Sequence, residues 1–188
     1  MGRTANGIIV ACYWMLVIST PLPCRGAQSK VFSSSEYGFR FQYPETWIRK
    51  PPRANPDARA KVSSNLADKA NCYVVVQPEA EKAAALSREL LLAEVRVDFP
   101  DARLVDSGLR PIDGEPGNYI IVEMSYWSYD SLITIRNLTV RSWRDGQTFT
   151  LTCGAFKNWF KRYEPLFWDI VNSFEFSTGK QPPGPAKK

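Results

Sequence analysis

The chain has 188 residues, enough for one domain with a substantial core, and its apolar and charged fractions are those of a globular protein. It contains no histidine, which excludes Ser-His-Asp and Cys-His nucleophile pairs, histidine-ligated metals and histidine acid–base chemistry. Of 24 lysines and arginines, two precede residue 30 and three follow residue 177; the 19 cations between balance 19 acids, so the pI near 9.1 comes from the two ends and does not argue for a nucleic-acid face.

Residues 1–26 read as a secretory signal peptide. Arg3 supplies a short cationic start, Ile8 to Ile18 run apolar, and Pro21 and Pro23 stop any helix. Eleven apolar residues fall short of the roughly 20 that span a bilayer. An uncleaved membrane anchor stays open as an alternative. So does lipidation of Cys24, although Pro23 stands where a lipobox has a small residue. The expected location is therefore the periplasm or the exterior. Membrane contact is expected only if Cys24 is lipidated or the leader is retained.

Residues 27–35 are polar and Ser-rich, a flexible lead-in. In GFRFQYP, Phe39, Phe41 and Tyr43 alternate with Gly38, Arg40 and Gln42, the period of a half-buried strand that ends at Pro44. A turn at PETW returns Trp47 and Ile48, and Pro51 to Arg59 form a loop. Asn71 to Pro78 (NCYVVVQP) read as a central strand. From Ala80 to Pro100 the period changes: Leu86, Leu90, Ala93 and Val97 fall at helical spacing.

Leu104 to Asp113 read as a strand ending at the turn DGEPG. Asn118 to Trp127 form a strand, SYDS a loop, and Leu132 to Trp143 another strand. Ile133 and Ile135 have one parity and Leu138 and Val140 the other, so a bulge is expected near Arg136. The Asp145-Gly146 pair between two β-rich runs signals a hairpin, and Thr148 to Cys153 complete it. Phe156, Trp159, Phe160, Tyr163, Phe167, Ile170, Val171 and Phe174 then follow a helical rhythm. Proline disfavours helix in the residue before it, so a break is expected at Glu164, with Pro165 opening a second helix. Residues 178–188 (TGKQPPGPAKK) are a disordered basic tail.

The order of elements makes an α+β protein: a central antiparallel sheet flanked by two amphipathic helices. On Phe39, Phe41, Pro44, Trp47, Ile170, Ser173 and Phe174, the chain over residues 36–177 resembles the PsbP/Mog1-like superfamily, as an exported member of bacterial type. The resemblance implies an α/β/α sandwich and proteins that mostly bind or scaffold.

Cys12 and Cys24 fall in the export segment, leaving Cys72 and Cys153. Both alternate in phase with apolar neighbours and face the interior. A disulfide is the expected state in an oxidising compartment, with two buried free thiols, or a reactive thiol, as the alternatives. No metal site, catalytic residue or cofactor motif is found. Glu45, Asp68 and Asp98 occur singly and read as solvated. Asn137-Leu138-Thr139 matches a glycosylation sequon but lies inside a strand. The candidate interaction surface is Tyr126, Trp127, Tyr129, Arg141, Trp143 and Arg144, aromatics and arginines of the kind enriched at interfaces; core-plus-edge packing is the alternative. The expected function is exported binding or scaffolding of a protein or envelope assembly, without nucleic acid or cofactor. A carboxylate-based hydrolase and a lipid-anchored envelope protein remain as rivals.

Overall fold

The computed structural model describes residues 28–51, 57–64, 69–79 and 81–177. The expected signal peptide, Cys24, Asp68 and the basic tail lie outside the described residues. The elements, in chain order, are β1 (Ser29–Ser34), β2 (Phe39–Pro44), β3 (Trp47–Arg49), β4 (Ala58–Ser64), β5 (Ala70–Pro78), α1 (Lys82–Ala85), α2 (Arg88–Asp98), β6 (Arg103–Leu109), β7 (Gly117–Ser128), β8 (Ser131–Arg144), β9 (Gln147–Phe156), α3 (Lys157–Asn172) and β10 (Glu175–Phe176). They form two antiparallel sheets, one of seven strands in the order β3-β4-β5-β9-β8-β7-β6 and one of three in the order β1-β2-β10. No helix among the described residues is long and apolar enough to cross a membrane.

α3 lies against both sheets and carries much of the core between them. Its Phe160, Phe167, Ile170 and Val171 are buried, as are Phe39, Phe41 and Tyr43 on β2. Phe39 stacks on Phe174, and Trp47 meets Tyr163 and Phe167 edge-on. Ser173 ties the end of α3 to β2, its Oγ accepting from the Gln42 amide at 2.9 Å. The half-buried reading of GFRFQYP holds: Arg40 and Gln42 face water while the three aromatics face the core.

Cys72 and Cys153 are joined by a disulfide. They sit directly opposite each other on β5 and β9, with Cα atoms 4.0 Å apart. The bond pins two neighbouring strands in the middle of the large sheet.

Five expectations need correction. The lead-in contains strand β1, which pairs with β2 and buries Phe32 against Phe39 and Phe41; a single aromatic among serines gave it no strand period. The layers are not a plain helix–sheet–helix sandwich, because a second sheet shares the side of α3. The amphipathic stripe of α2 is rotated. Leu90, Ala93 and Val97 face outward, whereas Leu91 is buried and Val95 packs below it. Leu91, Leu92, Val95 and Phe99 form the face that packs with Ile120, Val122 and Met124, while Ser87 separates α1 from α2 and caps α2 by accepting from the Leu90 amide.

Pro165 does not break the last helix, which runs unbroken from Lys157 to Asn172. The missing proline N–H costs about 3 kcal/mol in a helix interior. The aromatic stripe on both sides of Pro165 offsets this by burial against the sheets, and Lys161, whose carbonyl loses that N–H partner, lies in solvent. Finally, β8 carries no bulge: its register with β7 and β9 is unbroken. Ile133 and Ile135 face the side of α2, and Leu138 and Val140 the side of α3. The parity changes because the burying partner changes face along the strand.

A free ribbon beside a basic groove as the candidate functional site

β7 and β8 are the longest strands, and they outrun their neighbours. β6 stops pairing at Arg103↔Glu123 and β9 at Ile135↔Phe156. Beyond these rungs, Ser125↔Thr134, Tyr126↔Ile133, Trp127↔Leu132 and Ser128↔Ser131 form a two-stranded ribbon. A ribbon has no sheet to bury its faces, so its apolar side chains stay in water. Trp127 is 72% exposed, Leu132 57% and Tyr129 fully exposed. The two faces differ. Tyr126 lies on the side of α2 and rests on Phe99. Trp127 and Leu132 stand opposite each other on the side of α3.

The turn at the tip holds Tyr129 at φ 53°, in the left-handed region. A bulky residue there is an outlier, and left-handed geometry costs roughly 1–2 kcal/mol for residues other than glycine. A glycine would remove this strain. A fully exposed tyrosine gains nothing from the core in return.

On the α3 side, the base of the ribbon borders a groove of about 740 Å³ that ends on the first turns of α3. Glu123 at the ribbon base accepts from Arg136 at 2.7 Å and from Lys157 at 2.8 Å. Those bonds, the one from Lys157 first, hold its carboxyl below the usual range. Trp159 lies under the Lys69 ammonium at 4.3 Å and the Arg162 guanidinium at 5.5 Å. Such cation–π contacts leave both cations at the surface.

The remaining sequence candidates lie elsewhere. Trp143 and Arg144 sit at the other end of β8, eleven and twelve residues from Leu132, or roughly 35–40 Å along the strand. Trp143 donates its indole N–H to the Glu79 carbonyl at 3.0 Å, and Arg144 lies over Phe176. Arg141 is buried. Its Nε donates to Thr150 and its two terminal nitrogens to Glu94 of α2 at 2.9 and 2.5 Å. The six residues therefore divide into a free tip and a packed body. Unpredicted from sequence were Leu132, Trp159 and the lysines of α3. The strand length set by the two turns at 129–130 and 145–146 was the available signal.

A second feature lies under α2. There a cavity of about 330 Å³ is floored by Tyr73, Thr139, Thr150 and Thr152. Burial pushes the Tyr73 phenol above its usual range, partly opposed by its bond to Thr152. Glu94 and Asp98 lie one helical turn apart at its edge, so Asp98 is not as solitary as the sequence implies. Glu94, however, is engaged by Arg141. Asn137 of the sequon is inside β8 and packed on Gly154, where an added Cβ would come within 2.1 Å of its Oδ1. Glu45 is exposed beside Pro44, and its carbonyl accepts from Lys30.

No protein-family model matches the chain, and no curated protein matches it in sequence. Solved structures do match. Cyanobacterial PsbP (CyanoP) from Synechocystis sp. PCC 6803 is similar with a TM-score of 0.60 at 16% identity, over 85% of this chain and 98% of that one. The Saccharomyces cerevisiae Ran-binding protein Mog1p follows at 0.58 and 10%, over 80% and 96%. LpqN of Mycobacterium tuberculosis, described as involved in cell envelope biogenesis, gives 0.53 and 14%, over 80% and 91%. The chain has the PsbP/Mog1-like fold. At these identities the likeness extends to the fold alone.

Proposed function

We propose that the chain is an exported, non-catalytic binding or scaffold protein that engages another protein or an envelope assembly through the ribbon 125–134. The carrying observation is Tyr129. A fully exposed aromatic occupies a position where backbone geometry favours glycine, and strain retained without burial points to a use for the side chain. Trp127 and Leu132 extend the same apolar surface. Fold neighbours that include a Ran-binding protein and an envelope-biogenesis protein support a binding role. The export reading rests on residues 1–26 and on the disulfide, which belongs to oxidising compartments.

Affinity capture from the native envelope tests this reading, comparing the wild type with Trp127→Ala/Tyr129→Gly. Loss of the captured partner at undiminished stability is the expected result. Undiminished capture would remove the ribbon from the function. Intact mass of the membrane fraction decides the lipid-anchored alternative at Cys24.

A further inference from the structure

We propose that the groove between the ribbon and α3 docks an acidic segment of the partner protein, one that also carries an apolar side chain for Trp127 and Leu132. The inference rests on the binding role above and names the chemistry of what binds.

The first two turns of α3 carry Lys157, Lys161 and Arg162, and no acid lies in the first turn. This is the reverse of what stabilises a helix. The N-terminal end of the macrodipole is positive, and here no side-chain cap satisfies its free N–H groups. Lys69 adds a fourth cation from the start of the β5 region, over Trp159. Glu123 answers only Lys157 and Arg136. Among the described residues Lys161 has no hydrogen-bond or ion-pair partner, and Glu164, one turn further on, forms no ion pair with it. The excess is one of placement, since residues 30–177 are neutral as a whole. Local stability is thus given up twice beside one surface, at the Tyr129 turn and at the start of α3. An acidic chain would relieve the second and cover the first.

A flat anionic membrane fits less well. Lys157 is anchored at Glu123, four residues behind Trp127, or about 13 Å along the strand. A bilayer meeting the tip would lie beyond the Debye length of about 8 Å from that charge. A chain lying in the groove meets cations and apolar residues together.

The test uses the full chain with its disulfide intact. Three probes are compared: a fluorescein-labelled peptide of alternating Glu and Phe, its Lys and Phe counterpart, and phosphatidylglycerol vesicles. Saturable anisotropy change with the acidic peptide alone is expected. Lys161→Glu/Arg162→Glu, both at exposed positions, should weaken it about tenfold or more without lowering the thermal midpoint, and added salt should weaken it as well. The inference is overturned by an acidic peptide that fails to bind, by binding indifferent to the charge reversal, or by binding to vesicles alone. If Lys161→Glu/Arg162→Glu keeps its envelope partner while Trp127→Ala/Tyr129→Gly loses it, the binding role stands and the acidic partner does not.

Discussion

At one end of β8 the chain turns through Asp145 and Gly146; at the other it turns through Tyr129 and Asp130. In the first turn both central residues have positive φ, 51° and 76°, which suits the twist of the flanking strands and the residues that occupy it. In the second, Tyr129 alone is left-handed, at 53°, and has no glycine's freedom. The first turn closes a packed body in which Trp143 and Arg144 are anchored. The second caps a ribbon with no sheet on either side. Where residues serve the fold, local chemistry and backbone agree. Where they disagree without burial in return, selection for something other than stability is the simpler explanation.

The contrast between body and ribbon can be broken by experiment. The largest effect should come from the centre of the body. Replacing Cys72 and Cys153 by alanine opens an 81-residue separation and should remove about 4–5 kcal/mol in the chain-entropy model. Urea unfolding with and without reductant measures it, and the ribbon's binding should persist wherever the domain stays folded.

Two leucines on β8 give a cleaner pair. Leu138→Ala empties a fully buried site and should cost about 2–5 kcal/mol. Leu132→Ala, on the ribbon, should stay within about 0.5 kcal/mol. Equal losses would mean that the ribbon is part of the core.

Glu123 marks the border between the two regions. Its carboxyl is held low by Lys157 and Arg136, so its stabilising effect is complete above the ordinary carboxylate pKa of about 4.3 and is lost as pH falls through the lower folded value. Glu123→Gln should cost roughly 1–3 kcal/mol at neutral pH, because Arg136 loses its partner. Wild type and variant should converge in acid; a constant gap across the pH range would contradict the ion-pair account.

The smallest effects are the sharpest. Gly146→Ala should destabilise by about 1 kcal/mol through its left-handed backbone, although nothing crowds the added methyl. Tyr129→Gly should raise stability by about 0.5 kcal/mol, strain relief exceeding the entropy of a new glycine, while partner capture falls. A stabilised variant with intact capture would leave the strained turn without a role.

Much of this was legible beforehand. The strand at Phe39–Tyr43, the Asp145-Gly146 hairpin and the inward cysteines follow from short-range period and turn chemistry, and the fold came from the resemblance carried by Phe39, Phe41, Pro44, Trp47, Ile170, Ser173 and Phe174. The candidate surface was legible in half. The structure brings Tyr126, Trp127 and Tyr129 together on the ribbon, whereas Arg141, Trp143 and Arg144 are near them in composition but not in space. The basic turn of α3 carries no signal of its own in the sequence, since an amphipathic helix with lysines on its wet face looks ordinary until its neighbour is known.

By itself, then, the sequence determined most of the strands but not β1 or β4, which side of β2 is dry, and that two cysteines face inward, because each of these rests on alternation within a few residues. Tertiary structure alone decided three things. It kept Pro165 inside one helix, because burial of the aromatic stripe outweighs a missing hydrogen bond. It turned α2 so that Leu91 rather than Leu90 faces the sheet, because Leu91, Leu92, Val95 and Phe99 share one face that packs with Ile120, Val122 and Met124. And it left four rungs of β7 and β8 unaccompanied, because β6 and β9 end early; no pattern within β7 or β8 records the length of its neighbours.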